Sequence, residues 1–382
     1  MYLPLMISHT QIVIIGGGLA GLTAAIHLAK AGISVILIEK DTYPRHKVCG
    51  EYISNEALSY FEFLEIDLDI LNPVKISEFV ISTQKGHTIK SKLPLGGFGV
   101  SRYTLDNYLW QQAAKTGAQL LNDQVIEVHY KKDQFTIKTS TGIVLQSDYV
   151  LGAYGKRSIL DKSLQRDFSF KKSPWLAVKA HYKANFPENT VALHNFEGGY
   201  CGLSKVENNR VNACYLVSYD SFKKYKAIET FQQKVMSKNQ YLCDFFNEAE
   251  LIFDKPITIS QINFDKKKNI QNHIIMLGDA AGLIHPLCGN GMAMALKSSQ
   301  IICELLIQNN STIVAQARKK IENLYVQQWN LSFSKRLYAG RILQKTLLNT
   351  HLQTAAYFTA SAIPSIVPKI IKQTHGEPIV CL

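Results

Sequence analysis

No Cys-x-x-Cys pair occurs among the seven cysteines of this 382-residue chain (Cys49, Cys201, Cys214, Cys243, Cys288, Cys303 and Cys381). An odd number of scattered thiols fits a reducing compartment and argues against a disulfide framework or a thiolate zinc site. His-x-x-x-His spacing is missing too: His181, His194, His285 and His351 stand isolated, so no metal is expected. Neither a Gly-x-Ser-x-Gly elbow nor a phosphate-loop lysine occurs, which argues against serine hydrolases and P-loop enzymes. Repeats and low-complexity linkers are absent. The first ten residues carry no basic, leader-like stretch. The longest apolar run, 12–38, is broken by five glycines, His27 and Lys30, so it is not read as a membrane span. A cytoplasmic location is expected, with peripheral membrane contact as the alternative.

What is there is enough apolar residue, 46%, for more than one core. Residues 11–15 and 34–38 read as buried strands flanking a helix over 19–31; their unbroken apolar runs suit a parallel sheet covered on both faces. A helix is expected over 106–116, with Ser101 and Thr104 as caps. Short strands follow at 125–130, 135–139 and 143–145, then 149–151 returns to the sheet. The stretches 175–182, 190–196, 200–206 and 210–219 alternate, predicting an antiparallel sheet with one wet face, followed by a helix over 228–236. A buried strand at 274–277 leads into Gly278-Asp279, and helices are expected over 291–306 and 312–363. The sheet opened at residue 11 is thus completed near 278, around an insertion.

The strand–turn–helix at the start carries Gly16-x-Gly18-x-x-Gly21, with Glu39 closing the second strand. Gly16 permits the tight turn, Gly18 lets backbone approach a pyrophosphate, and Gly21 lets helix pack on strand. Glu39 is placed to accept from ribose hydroxyls and disfavours a 2′-phosphate, leaving FAD or NAD. A β-branched residue at Gly18 is expected to give cofactor-free, unstable protein. No second motif of this kind follows a later strand, so a two-nucleotide disulfide reductase is disfavoured. Forty-two Lys and Arg stand against 30 Asp and Glu, a net charge of +12. The lysines are dispersed and line no single helix, so attraction of cofactor phosphates explains the excess better than nucleic acid, and no nucleic-acid partner is expected.

Further on, Gly278-Asp279-Ala280-Ala281-Gly282 is followed by His285-Pro286-Leu287-Cys288-Gly289-Asn290-Gly291-Met292. With both motifs at this separation, the chain resembles the flavoprotein monooxygenase superfamily (the para-hydroxybenzoate hydroxylase fold), in its geranylgeranyl-reductase-like branch. Pro44-Arg45-His46-Lys47-Val48-Cys49-Gly50-Glu51 is similar to the Pro-Arg-x-Lys-x-Cys-Gly segment that this branch places near its flavin. The resemblance implies an α/β fold: an FAD-binding Rossmann-like domain of glutathione-reductase type, an inserted antiparallel β-sheet substrate domain and a helical C-terminal segment. In residue numbers, the FAD domain is expected in three parts (1–72, 99–168, 266–310), the substrate domain at 73–98 and 169–265, and the cap at 311–382.

The resemblance assigns to FAD Gly16, Gly18, Leu19, Ala20, Gly21, Glu39, Lys40, Arg45, Lys47, Cys49, Gly50, Arg102, Val125 and Gly155. It adds Gly278, Asp279 on the ribityl chain, Pro286, and Gly289, Asn290, Gly291 and Met292 beside the flavin ring. Cys49 and Tyr200 are the catalytic candidates. Two departures stand out. Tyr154 occupies the place where hydroxylases carry Asp, which puts direct reduction by NAD(P)H in doubt. The Phe196–Gly202 stretch lacks the Trp and Pro of the branch's Tyr-x-Trp-x-Phe-Pro motif and of the halogenases' Trp-x-Trp-x-Ile-Pro. The implied activity is reduction of a carbon–carbon double bond in an apolar, isoprenoid or polyketide-like small molecule through reduced FAD. NAD(P)H would be a transient electron donor, or a separate protein would donate. The alternatives are an NAD(P)H-dependent monooxygenase acting on an apolar or aromatic substrate, and a non-catalytic flavin-binding partner.

Overall fold

The computed structural model describes residues 8–310 and 314–381. The first seven residues of the stretch read as lacking a leader, and the expected helix start at residue 312, lie outside these. The chain opens with strand β1 (Ser8–Ile15), helix α1 (Leu19–Lys30) and strand β2 (Val35–Glu39). Residues Ile12–Ile15 of β1 and Val35–Ile38 of β2 are all aliphatic and mostly β-branched, and all of β2 is buried. β1 runs parallel to β2, pairing Ile12 with Val35 and Ile15 with Ile38.

The chain then passes through β3 (Tyr52–Ser54) and α2 (Leu58–Phe63) to the long hairpin β4 (Val74–Ser82) and β5 (Thr88–Gly99). It returns by α3 (Arg102–Lys115), β6 (Gln119–Asn122), β7 (Val125–Lys131), β8 (Gln134–Thr139) and β9 (Val144–Gly152), then α4 (Ile159–Ser163). Ser101 alone caps α3, accepting from the Thr104 amide at 3.1 Å, so the helix starts four residues earlier than the apolar pattern suggested. The two strands expected over 143–151 are one: β9 pairs antiparallel with β8 over Val144–Ser147 and parallel with β1 over Leu145–Gly152.

The insertion continues with β10 (Trp175–Lys183), β11 (Thr190–Phe196), β12 (Gly199–Val206) and β13 (Arg210–Ser218). Helices α5 (Tyr219–Phe222), α6 (Ile228–Lys234) and α7 (Gln240–Glu248) follow, with short strands β14 (Glu250–Leu251) and β15 (Ile257–Ser260). The chain re-enters the first sheet as β16 (Ile270–Gln271) and β17 (Ile274–Met276), then ends in α8 (Gly291–Gln308), α9 (Val314–Leu348), α10 (Thr350–Ala362) and α11 (Ile366–Thr374). The single helix expected to residue 363 is therefore broken at Asn349, whose side chain caps α10.

The first sheet has the order β16-β17-β9-β1-β2-β6; the second runs β14-β10-β13-β12-β11-β4-β5-β3. The second sheet is antiparallel apart from one parallel pairing, β11 with β4. Its expected wet face is not wet. One face packs Val178, Phe196, Leu203 and Val217 against Phe231, Met236 and Leu242 of the α6–α7 region. The other face turns Ala177, Leu193, Tyr200 and Leu216 toward Leu283, Leu287 and Leu347. The polar residues that gave the alternation bond inward, Lys179 and His181 to Glu51 and Ser204 and Asn212 to the carbonyls of the Cys49–Gly50 loop, not to bulk water.

Candidate functional site

The glycine turn follows β1 directly. Gly16 has φ of +107°, and a Cβ there would lie 2.6 Å from the Ala153 carbonyl oxygen, so only glycine fits. A Cβ at Gly21 would collide with the Gly16 carbonyl; this glycine sets the helix-to-strand approach and does not border the cavity. Gly18 differs. The nearest atom to a Cβ built there is Arg102 Nη2 at 3.8 Å. The protein itself therefore has room for a side chain, and the instability expected of a substitution at Gly18 does not follow. Gly18 is also the N-cap of α1 and provides no side-chain cap, so the first-turn amides face open space with their positive partial charge unmatched.

Around this turn the carboxylates are already engaged. Glu39, 5% exposed, accepts from the Gly17 amide at 2.7 Å and from the Asp41 amide at 3.1 Å, and its Oε1 lies 3.0 Å from Arg45 Nη2. Arg45 also pairs with Asp41. Lys47 Nζ lies 2.9 Å from Asp106, and Arg102 grips the same carboxylate through Nε at 2.6 Å and Nη2 at 2.7 Å. Arg45, Lys47 and Arg102 do border the cavity as expected, but each charge is already paired inside the protein. Burial alone would raise the Asp106 carboxyl; Arg102 and Lys47 outweigh it and hold it below the usual range. Asp106 was missed because its only local signal is the four-residue spacing from Arg102.

At the other end of the cavity, Gly278 takes φ of +54° and donates its amide to Ser298 Oγ at 2.9 Å. The neighbouring Asp279 lines the cavity; its backbone carbonyl accepts from Lys267 Nζ at 2.8 Å, while its carboxylate has no hydrogen-bond partner among the described residues. Burial lowers the Lys267 ammonium to about 8. Helix α8 starts after Gly289 (φ +63°) and Asn290, again without a side-chain cap. Two uncapped helix N-termini, a carboxylate whose oxygens accept no hydrogen bond among the described residues and the open space before Gly18 thus meet one cavity of about 1080 Å³. That arrangement fits a dinucleotide with its phosphates at α1 and a polar ring edge at α8.

Every other residue assigned to the cofactor from the sequence also borders this cavity: Leu19, Ala20, Lys40, Cys49, Gly50, Val125, Gly155, Pro286, Gly291 and Met292 among them. So do both catalytic candidates. Cys49 is half-buried, with Sγ 3.6 Å from Met292 Sδ beside the start of α8. Tyr200 is 3% exposed. Tyr154, the departure at the second nucleotide motif, is held by Arg166 Nη1 at 3.2 Å; Arg166 in turn bonds Asp161 and the Ala280 carbonyl. Tyr154 thus lines the cavity while its hydroxyl is tied back into a structural network with Arg166 and Met276.

The loop carrying Cys49 is fixed by a cluster that sequence reasoning missed. Glu51, fully buried with φ of +55°, receives Lys179 Nζ at 2.6 Å and the Arg102 amide at 2.8 Å on Oε1, and His181 Nε2 at 2.6 Å on Oε2. Burial would raise its carboxyl, but Lys179 and His181 outweigh that and hold it at about 2. The signal was present: Lys179 and His181 sit two apart on an otherwise apolar strand. His181 is therefore not isolated. With His46 and Glu51 it forms a group whose ligating atoms lie within 4.8 Å of one another. Both Glu51 oxygens are already used, and the Lys179 ammonium opposes a second cation there, so this cluster is read as a brace.

Beyond Cys49 the cavity becomes an apolar slot. Phe79 and Ile81 of β4, Ile89 and Leu93 of β5, and Val191 and Leu193 of β11 form its floor. Leu343 and Leu347 of α9, Ala360 of α10, and Val367 and Ile371 of α11 cover it. No helix among the described residues is long and apolar enough to cross a membrane.

The model of the family described as FAD binding domain matches residues 9–312. Geranylgeranyl diphosphate reductase of Nicotiana tabacum is 24% identical over 373 residues, covering 91% of this chain and 77% of that protein. Menaquinone reductase of Mycobacterium tuberculosis is 23% identical over 323 residues, covering 78% of this chain and 76% of that protein. Among solved structures, the flavin-dependent brominase Bmp2 superposes with a TM-score of 0.77 at 16% identity, over 95% of this chain and 93% of that one. That likeness concerns the fold alone.

Proposed function

The chain belongs to the FAD binding domain family, an FAD-dependent oxidoreductase family, and on that premise we propose that it reduces a carbon–carbon double bond of an apolar, isoprenoid-like substrate. The observation that carries this reading is the apolar slot, closed by three C-terminal helices, that continues from the loop of Cys49. Such a slot orients a flexible hydrocarbon and keeps water from the reacting bond.

The chemistry that FAD would supply here, once bound and reduced, is hydride donation. The protein does the rest. The amides at the start of α1 would hold the phosphates, and Asp279 would accept from the sugar-alcohol chain. The uncapped amides at the start of α8 would favour negative charge on a ring held there. Reduction of the double bond also needs a proton on the second carbon, and Cys49 Sγ is assigned to deliver it. The Glu51–Lys179–His181 brace holds that loop in place. Electrons are assigned to NAD(P)H, docking transiently at a rim where Lys40, Arg157 and Lys162 are exposed.

The test is anaerobic turnover of the yellow protein with NADH or NADPH and an acyclic polyprenyl substrate, followed by mass analysis. The product is expected to gain two hydrogens. A product that gains an oxygen atom once air is admitted, with no loss of unsaturation, would replace this reading with a monooxygenase.

A further inference from the structure

The cavity face of the second sheet divides into rows set by strand register. In the first row, Ser204 Oγ donates to the Gly50 carbonyl at 3.4 Å, and Asn212 Nδ2 donates to the Gly50 and Cys49 carbonyls at 2.9 and 3.2 Å. This row meets the loop that carries Cys49. Two residues along β12, Gly202 stands opposite Leu193 and Cys214. Two further, Tyr200 stands opposite Asn195 on β11 and Leu216 on β13. At ~3.3 Å per residue, the third row lies about 13 Å along the strand from the first.

The third row is set in apolar surroundings, with Ala177, Leu216, Leu283 and Leu287 about it. Yet it holds two polar atoms with no partner among the described residues: the Tyr200 hydroxyl and Asn195 Oδ1. The two residues are 3% and 1% exposed, and both line the cavity. The Asn195 amide is not free to turn, because its Nδ2 donates to the Ser82 carbonyl at 2.8 Å, which leaves Oδ1 as the surplus acceptor. A buried polar group left unmatched costs about 1–3 kcal/mol, so two in one row point to a ligand that matches them. Directly opposed residues on neighbouring antiparallel strands present their side chains to the same face.

We propose that Asn195 and Tyr200 form a subsite for a hydroxyl group carried by an otherwise apolar substrate. The substrate hydroxyl donates to Asn195 Oδ1 and accepts from the Tyr200 hydroxyl. None of Ala177, Asn195, Tyr200 and Leu216 is cationic, and burial keeps His285, whose ring lies 5.9 Å from that of Tyr200, in its neutral form, so a neutral hydroxyl fits where a phosphate or carboxylate does not. The proposal rests on the reading of the slot as a site for apolar molecules.

The test is binding to the oxidised holoprotein, without turnover, by calorimetric titration of farnesol, its methyl ether and the hydrocarbon farnesene. The ether accepts but cannot donate; the hydrocarbon does neither. Wild-type protein is expected to bind farnesol about tenfold more tightly than the ether. Asn195→Leu should bring that ratio to about one. Tyr200→Phe should weaken alcohol and ether alike by about tenfold and leave farnesene unchanged. Should Asn195→Leu fail to fold for want of its Ser82 bond, Tyr200→Phe keeps the ring and carries the test. If all three ligands bind wild type and the hydroxyl brings no gain, the subsite is overturned while the apolar slot stands. If none binds, the reading of the slot fails and takes the subsite with it.

Discussion

Gly18→Val separates cofactor binding from folding at a single position. Its backbone, at φ −86° and ψ −176°, is extended and open to a β-branched residue, and the nearest protein atom to a new Cβ is 3.8 Å away. The isopropyl group would occupy only the space in front of the α1 amides, where a pyrophosphate has to come within hydrogen-bond distance. Losing one to two charge-assisted bonds there amounts to about 3 kcal/mol, or roughly a 100-fold rise in Kd for FAD. The apoprotein should lose no more than about 1 kcal/mol in urea unfolding, the cost of a poorer N-cap residue. Fluorescence titration of FAD and urea unfolding of the flavin-free protein read the two quantities independently. Gly21→Val is the contrast, since its side chain meets the Gly16 carbonyl and should lose stability before any cofactor is added. FAD affinity within about twofold of wild type for Gly18→Val would refute the placement of the phosphates at this turn; an apoprotein weakened as much as that of Gly21→Val would refute the room for a side chain at Gly18.

Asp279→Ala should weaken FAD by about 1.5–3 kcal/mol, the range for a hydrogen bond to a charged group, and unchanged affinity would remove Asp279 from the site. Glu51→Ala leaves Lys179 buried without its counter-ion and should cost about 3–5 kcal/mol in urea unfolding, as breaking a buried pair does. Because the Glu51 carboxyl lies at about 2, below its ordinary 4.5, the stability it contributes is present above 4.5 and is lost as pH falls from there toward 2. Burial lowers His27 and His194 to about 4 and His285 to about 3, from an ordinary 6.5. The unfolded chain therefore binds more protons in this window, and the urea midpoint should drop as pH falls from 6.5 toward 4; His194→Gln should flatten that drop.

The parts legible in the sequence are those whose chemistry is local. Gly16, Gly18 and Gly21 act through one turn, and Gly278-Asp279 through another, so each could be read from a few consecutive residues. Glu51 could not, since its partners Lys179 and His181 lie 128 and 130 residues away and only sheet register brings them together. The same limit hid Asp106 as the anchor for Lys47, although its bond to Arg102 spans one helical turn. The wet face was misread for a related reason. Ser204, Asn212 and Lys179 give the alternation of a solvated strand, but they face the Cys49 loop and Glu51. Polarity along a strand does not distinguish bulk water from a buried polar partner brought in from elsewhere in the chain.

The route of the chain through its first sheet also governs its birth. β17 is the neighbour of β9 in that sheet, yet about 120 residues of insertion separate them, and α8 reaches α1 only after roughly 260 residues more have been made. At ~5–20 residues per second, α1 waits about 13–50 s on the ribosome without its partner, and the outer end of β9 remains an open edge for part of that time. A nascent chain in this condition is prone to pair with its neighbours on the same message. Yield should therefore depend on translation speed and chaperone supply more than on the stability of the finished protein.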